Sequence, residues 1–222
     1  AIRAMESARL SPFSFRSMDV GVVFDLMIHD IDLVLSLEPG RIERIEAHGI
    51  AATGGHEDMV RARLTFSSGF IADLSASRIH PTPHRSVSLW SSERLVSVDF
   101  TAKTVEVIAP SEAVCSGKFI ASEVPPEQHA ALKGSFFNEI LPRKTLAVPE
   151  ANALVREHDD FLNAIRSGRP PQVPATAGAA ALEIAARIID SLACVRFGSA
   201  NPMPAVLSGT GTRPIFPLRK TG

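Results

Sequence analysis

The chain has 222 residues, 45% of them hydrophobic and 21% charged, and its 23 Lys and Arg nearly balance 24 Asp and Glu for a net charge of −1. This is the profile of an ordinary globular protein, with no basic face for a nucleic-acid backbone and no polybasic patch for an anionic membrane, so nucleic acid and membrane are both excluded as partners. Two cysteines, Cys115 and Cys194, are too few for a disulfide-stapled secreted module, and with no signal-peptide core and no long apolar run the chain reads as cytoplasmic.

Ala1 stands where an initiator Met is expected, so the chain reads as a fragment of a longer one. Residues 1–18 form a leading segment in which Pro12 and the serines around Phe13 and Phe15 favour a loop or a short extended stretch. A helix is predicted over 19–37, with Asp19 as N-cap and Pro39-Gly40 as its stop; its apolar residues surround most of its circumference, so it is buried on most sides. The middle then alternates with period two. Ile45, Ala47 and Gly49 mark one strand; Val60, Ala62, Leu64 and Phe66 a second; and Phe70, Ala72, Leu74 and Ala76 a third, with Ser67-Ser68-Gly69 turning the last two into a hairpin. Further strands are predicted at 86–90, 95–100 and 104–108, and their short links demand antiparallel pairing. Residues 110–148, with four prolines, read as a long excursion with one helical piece.

Leu154, His158, Phe161, Leu162 and Ile165 follow the helical period, and Gly168 with Pro170-Pro171 ends that helix. An alanine-rich helix follows over 177–195, with Leu182, Ile184, Ile188, Ile189 and Leu192 as core candidates. The tail over 199–222 reads as irregular, leaving one domain over 19–198. The sum is an α+β fold: an open, mostly antiparallel sheet with helices packed on one face.

The chemistry concentrates in the first helix. At about 100° per residue, Asp25, His29, Asp32 and Ser36 fall on one narrow polar stripe of an otherwise apolar helix. Burying an unpaired carboxylate or imidazolium costs several kcal/mol, roughly, so such a stripe must meet partners, water or a cleft. An Asp four residues before a His favours the charged ring and suits a general base near neutral pH. A hydrogen-bonded core histidine is the plainer alternative, and Asp30 points away from the stripe.

Asp19-x-Gly21-x-x-x-Asp25-x-x-x-His29-x-x-Asp32 resembles the signature that opens the C-terminal domain of the Gfo/Idh/MocA oxidoreductases. The hairpin from Asp58 to Arg78 and the segment from Phe161 to Pro171, with the helix after it, resemble further parts of that domain. The resemblance implies a two-domain enzyme using NAD or NADP, in which this chain is the substrate-binding and oligomerisation half, associating through its sheet. It implies His29 as acid/base toward a hydroxyl of a sugar, polyol or nucleotide-linked sugar, and Asp25 as the residue that orients His29 or holds a hydroxyl. The candidate substrate-binding residues are Arg16, Asp32 and Arg78. The stretch from Arg9 to Ser17 resembles the branch acting on nucleotide-linked amino sugars, where Arg9 or Arg16 would meet a phosphate or carboxylate; a structural or solvated arginine is the equal alternative.

The family's Glu-Lys-Pro motif is missing, and so is a strand–glycine loop–helix fingerprint. The Gly-x-Gly at Gly209-Thr210-Gly211 precedes Pro214 and reads as loop. The N-terminal nucleotide-binding domain is therefore read as absent from this chain, which alone should bind NAD poorly. His80 and His84 have a metal-pair spacing, but Pro81 and Pro83 oppose the helix it needs, and no metal site is assigned. Neither cysteine has the basic neighbour of a thiolate nucleophile. Two other readings stay open: a non-catalytic scaffold or dimerisation domain, and a metal-dependent HD-type phosphohydrolase built on His29-Asp30.

Overall fold

The computed structural model describes residues 1–37, 39–53 and 55–196. The tail over 199–222, with Gly209-Thr210-Gly211, lies outside the described residues. The strands are β1 (Ile2–Leu10), β2 (Ile42–Ala51), β3 (Met59–Phe66), β4 (Ile71–Ser77), β5 (His84–Ser91), β6 (Leu95–Asp99), β7 (Thr104–Ile108), β8 (Arg143–Leu146) and β9 (Leu192–Arg196). They form one nine-stranded sheet in the order β8-β7-β6-β5-β1-β4-β3-β2-β9. The antiparallel runs β2-β3-β4 and β5-β6-β7 follow from short links, as alternation and turns predict, and β8, which the sequence reading did not contain, joins β7 antiparallel after a long excursion.

Residues 1–18 correct the reading of a leading segment, because β1 stands at the centre of the sheet. It runs parallel to β4 and antiparallel to β5, joining the two runs. Met5 and Ser7 are buried on its inner face while Glu6 points outward. β9 is a further element absent from the sequence reading. The alanine-rich helix ends at Asp190, and β9 then pairs parallel with β2 at the sheet edge.

One face of the sheet is covered. A π-helical turn over Val23–Met27 runs directly into α1 (Ile28–Ser36), and α5 (Ala175–Asp190) packs beside both. Val22, Val23, Met27, Ile31 and Val34 are fully buried against β-strand residues such as Val60, Leu64 and Ala76. On α5, small Ala181 and Ala185 allow close approach beside Ile184 and Ile188, whereas Leu182 is exposed rather than core. The other face is open over β1–β4.

The excursion over 110–148 holds short helices, α2 (Glu112–Cys115) and α3 (His129–Ser135), before β8 closes the sheet edge. Next comes α4 (Ala153–Ser167), capped at one end by Asn152, whose side chain accepts from the Leu154 and Val155 amides, and at the other by Gly168 at φ 67°. Its apolar stripe does not face the core: Leu154, Phe161 and Ile165 are 59%, 58% and 64% exposed, and His158 is exposed with them. Periodicity detects an amphipathic helix but says nothing of what covers it.

Candidate active site

The helix carrying the polar stripe begins later than its sequence implies. Asp19 lies in an exposed turn and does not cap it. Instead Glu57, buried beside β3, accepts from the Val23 amide through Oε1 at 3.1 Å, and its backbone carbonyl accepts from Val22 at 3.2 Å. A carboxylate at a helix N-terminus satisfies an orphan donor and complements the dipole. Gly21 is required there, because a β-carbon at that position would collide with the Glu57 carboxylate.

The neighbouring Asp58 and Arg78 form a second anchor. Arg78 Nε donates to Asp58 Oδ1 at 2.6 Å, with the two side chains 6% and 0% exposed. Its Nη1 donates to the carbonyls of Val20 at 2.9 Å and Ser17 at 3.2 Å, and its guanidinium lies 5.9 Å from the Phe13 ring centroid. Asp58 also accepts from the amides of Ala52 and Thr53, each at 2.7 Å, and from the Thr53 hydroxyl. Burial pushes the Asp58 carboxyl up, but hydrogen bonds from Thr53, Arg78 and Ala52 outweigh it and hold the group below its ordinary value. Arg78 therefore does not face the cleft as a substrate residue. It is a clasp on the loop between β1 and the helix.

That loop is strained. Phe15 and Ser17, on either side of Arg16, have φ of 55° and 49°, a left-handed conformation that costs about 1–3 kcal/mol and persists only where its surroundings impose it. Here the imposing groups are the Arg78 clasp on Ser17 and the edge-on packing of Phe13 against Phe15 at 4.9 Å. The Ser11 amide donates to the Ser77 carbonyl and its own carbonyl accepts from His80, tying the loop's start to β4.

Loop, helix and sheet end enclose a hollow of about 360 Å³, lined by Asp25 and His29 from the helix, Arg16 from the loop, Arg9 from β1 and Arg85 from β5. Three of the predicted residues, His29, Asp25 and Arg16, thus converge. Asp32 and Arg78 are not among its lining residues. Asp25 and His29 make no hydrogen bond to one another, and among the described residues neither side chain has a hydrogen-bond partner; His29 is exposed and Asp25 half-buried. Arg9 is already engaged, since Asp30 accepts from its Nε at 2.9 Å and its Nη2 at 3.2 Å. Asp30 is buried by this pair, which removes the His29-Asp30 metal couple an HD-type phosphohydrolase needs, and the nine-stranded sheet is not that all-helical fold.

Arg85 was missed by sequence reading. The signal that finds it is register: Arg9 and Arg85 stand directly opposite across the β1–β5 pair.

A larger hollow, about 560 Å³, lies on the open sheet face between Glu6, Glu46, His48 and Arg61. Its Arg63 and Asp73 are bonded to each other at 2.7 and 2.9 Å, so their charge is already answered. Among the described residues no group of three or more His, Cys, Asp or Glu is placed to hold a metal ion. His80 instead bonds to Thr82 and His84 to Ser86. Burial pushes the Cys194 thiol up, away from a reactive thiolate. No described helix is long and apolar enough to cross a membrane.

Residues 4–97 match the family model described as the GFO/IDH/MocA C-terminal domain. Over that span the chain is similar to the C-terminal domain of the Gfo/Idh/MocA family. A UDP-N-acetylglucosamine 3-dehydrogenase from Acidithiobacillus ferrooxidans is 34% identical over 188 residues, a match covering 83% of this chain and 54% of the relative. The solved structure of UDP-N-acetylglucosamine 3-dehydrogenase GnnA from that organism superposes with a TM-score of 0.71 at 31% identity, covering 86% of this chain and 55% of that one. KijD10, a 3-ketoreductase from Actinomadura kijaniata in complex with TDP-benzene and NADP, shares the fold at a TM-score of 0.65 and 13% identity, covering 88% of this chain and 54% of that one. The chain spans about half the length of the relatives it matches.

Proposed function

We propose that this chain is the substrate-binding and proton-transferring half of an NAD(P)-dependent dehydrogenase acting on a hydroxyl of a sugar or nucleotide-linked sugar. The observation that carries this reading is the convergence of His29, Asp25 and Arg16 on one hollow. His29 is reachable by a substrate hydroxyl and takes its proton as that carbon is oxidised, or returns it in the reverse direction. Asp25, on the same wall, supports the imidazolium that forms, or accepts from a neighbouring hydroxyl. The relatives' names support the substrate class.

NAD or NADP would supply the hydride acceptor. The described residues contain no strand–glycine loop–helix unit of the kind that cradles its pyrophosphate, so its binding is assigned outside them. The open face of the sheet is the surface we assign to self-association, testable by sedimentation.

The deciding experiment fuses this chain behind the half of the Acidithiobacillus relative that it does not span and follows nicotinamide reduction. His29→Ala should lower kcat by about 10²–10⁴ while nicotinamide binding stays intact. Turnover unchanged by that substitution removes His29 from its role. A fusion that binds cofactor and sugar without turnover favours a non-catalytic scaffold.

A further inference from the structure

Three arginines line the hollow, and the proton transfer itself employs none of them. Their charges are unequally answered. Arg9 has the buried carboxylate of Asp30. Arg85 faces Arg9 across the β1–β5 pair, and like charges placed directly opposite on a sheet repel. Among the described residues the guanidinium of Arg85 has no hydrogen-bond or ion-pair partner, and neither has that of Arg16. Only the Arg85 backbone is engaged, its amide on Thr101 and its carbonyl on Phe100. Arg16, exposed, lines the same space from the loop position between left-handed Phe15 and Ser17. Counting Arg9 with Asp30 and leaving Asp25 ionised, the hollow keeps one unanswered positive charge.

We propose that Arg16 and Arg85 form the seat for a phosphate group of the substrate, making Arg85 a specificity-determining residue for phosphate-bearing sugars over neutral ones. The inference rests on the functional reading above and narrows its substrate class. Guanidinium forks match phosphate oxygens in a bidentate geometry, and the anion would relieve the repulsion between Arg9 and Arg85. The phosphate would sit on the loop and β5 side of the hollow, leaving the sugar ring toward Asp25 and His29. A single phosphoryl ester and a nucleoside diphosphate share this chemistry.

Calorimetric titration of the 222-residue chain with UDP-N-acetylglucosamine, N-acetylglucosamine 1-phosphate and N-acetylglucosamine tests it. Both phosphorylated probes should bind at least about tenfold more tightly than the neutral sugar, and Arg85→Gln and Arg16→Gln should each weaken them by about tenfold or more. The loss should be larger for the phosphorylated probes than for the neutral sugar. Arg63→Gln, on the open sheet face, should change nothing. Equal affinity for the two phosphorylated probes marks recognition of one phosphoryl group; a tighter UDP-sugar marks the diphosphate. No preference for phosphate, or a preference untouched by both Arg substitutions, overturns the proposal. A His29→Ala loss of turnover that persists on a neutral sugar would then leave the functional reading standing without it.

Discussion

Replacing Arg78 by Met separates a structural clasp from a ligand residue. The substitution keeps the aliphatic stem but removes the guanidinium, which leaves Asp58 buried without its cationic partner and takes the Arg78 donor from the carbonyls of Ser17 and Val20. Breaking one side of a buried pair costs about 3–5 kcal/mol. Asp58 retains its bonds from Ala52 and Thr53, so the lower end, about 3 kcal/mol, is the expected loss. For a chain of this length that is a fall in Tm of roughly 6–12 °C. Urea titration followed by circular dichroism reads the loss directly. A companion readout is trypsin cleavage after Arg16, which should accelerate because the loop loses its bonds to Arg78. Removing both charges, with Asp58→Asn added to Arg78→Met, should recover part of the stability, since no unpaired charge then stays buried. An Arg78→Met chain with unchanged Tm and weakened substrate binding would refute the clasp and return Arg78 to the cleft.

Gly21→Ala should destabilise by about 1.5–3 kcal/mol in the same titration, because the Glu57 carboxylate can swing clear of the new methyl only by leaving the Val23 amide. Asp58 sets a pH dependence. Its folded pKa is depressed, so its contribution is complete above the ordinary carboxylate range near about pH 4 and is lost as pH falls through the lower folded value. Urea midpoints measured between neutral and strongly acidic pH should therefore fall more steeply in the parent chain than in Asp58→Asn. On α4, Phe161→Glu should leave the Tm of this chain within the error of a surface change, about 0.5 kcal/mol, whereas Ile188→Ala on α5 should lose about 2–5 kcal/mol. A large loss at Phe161 would show that its stripe is covered in solution.

What could be read from the sequence was local. The hairpin of β3 and β4, the strands β5 to β7 and the polar stripe all announce themselves by alternation, turn residues or helical spacing within about twenty residues. β1 does not, because its pattern mixes Met5 and Ser7 inside with Glu6 and Ala8 outside, and its partners lie more than sixty residues away. β9 is hidden in the same way, its pairing with β2 crossing most of the chain. Arg78 was seen but misplaced, since which face a strand-end residue takes depends on where Asp58 and the Phe13 loop come to lie. Arg85 became visible only when the register of β1 against β5 set it opposite Arg9. Asp32 lies almost one turn beyond His29 on α1 and is not among the residues lining the hollow, a limit that helical spacing alone does not set.

The π turn is one of three local departures that meet at the hollow, and their coincidence bears on function. Across β3, β4 and α5 most residues obey the rule of their element: apolar inward on the strands, small or branched apolar where helix meets sheet. Around His29 the rules are broken together, by a π turn under Asp25, by left-handed Phe15 and Ser17 beside Arg16, and by arginine opposite arginine at Arg9 and Arg85. Each departure is unfavourable by itself, and a fold free of other demands would relax it by a substitution or a one-residue deletion. None of the three stabilises another directly, since they lie on a helix, a loop and a strand pair. What they share is the space they face. Burial of Glu57 and of the Asp58–Arg78 pair provides the rigidity that holds them against that space, so the polar core beneath the helix and the cationic hollow above it belong to a single device.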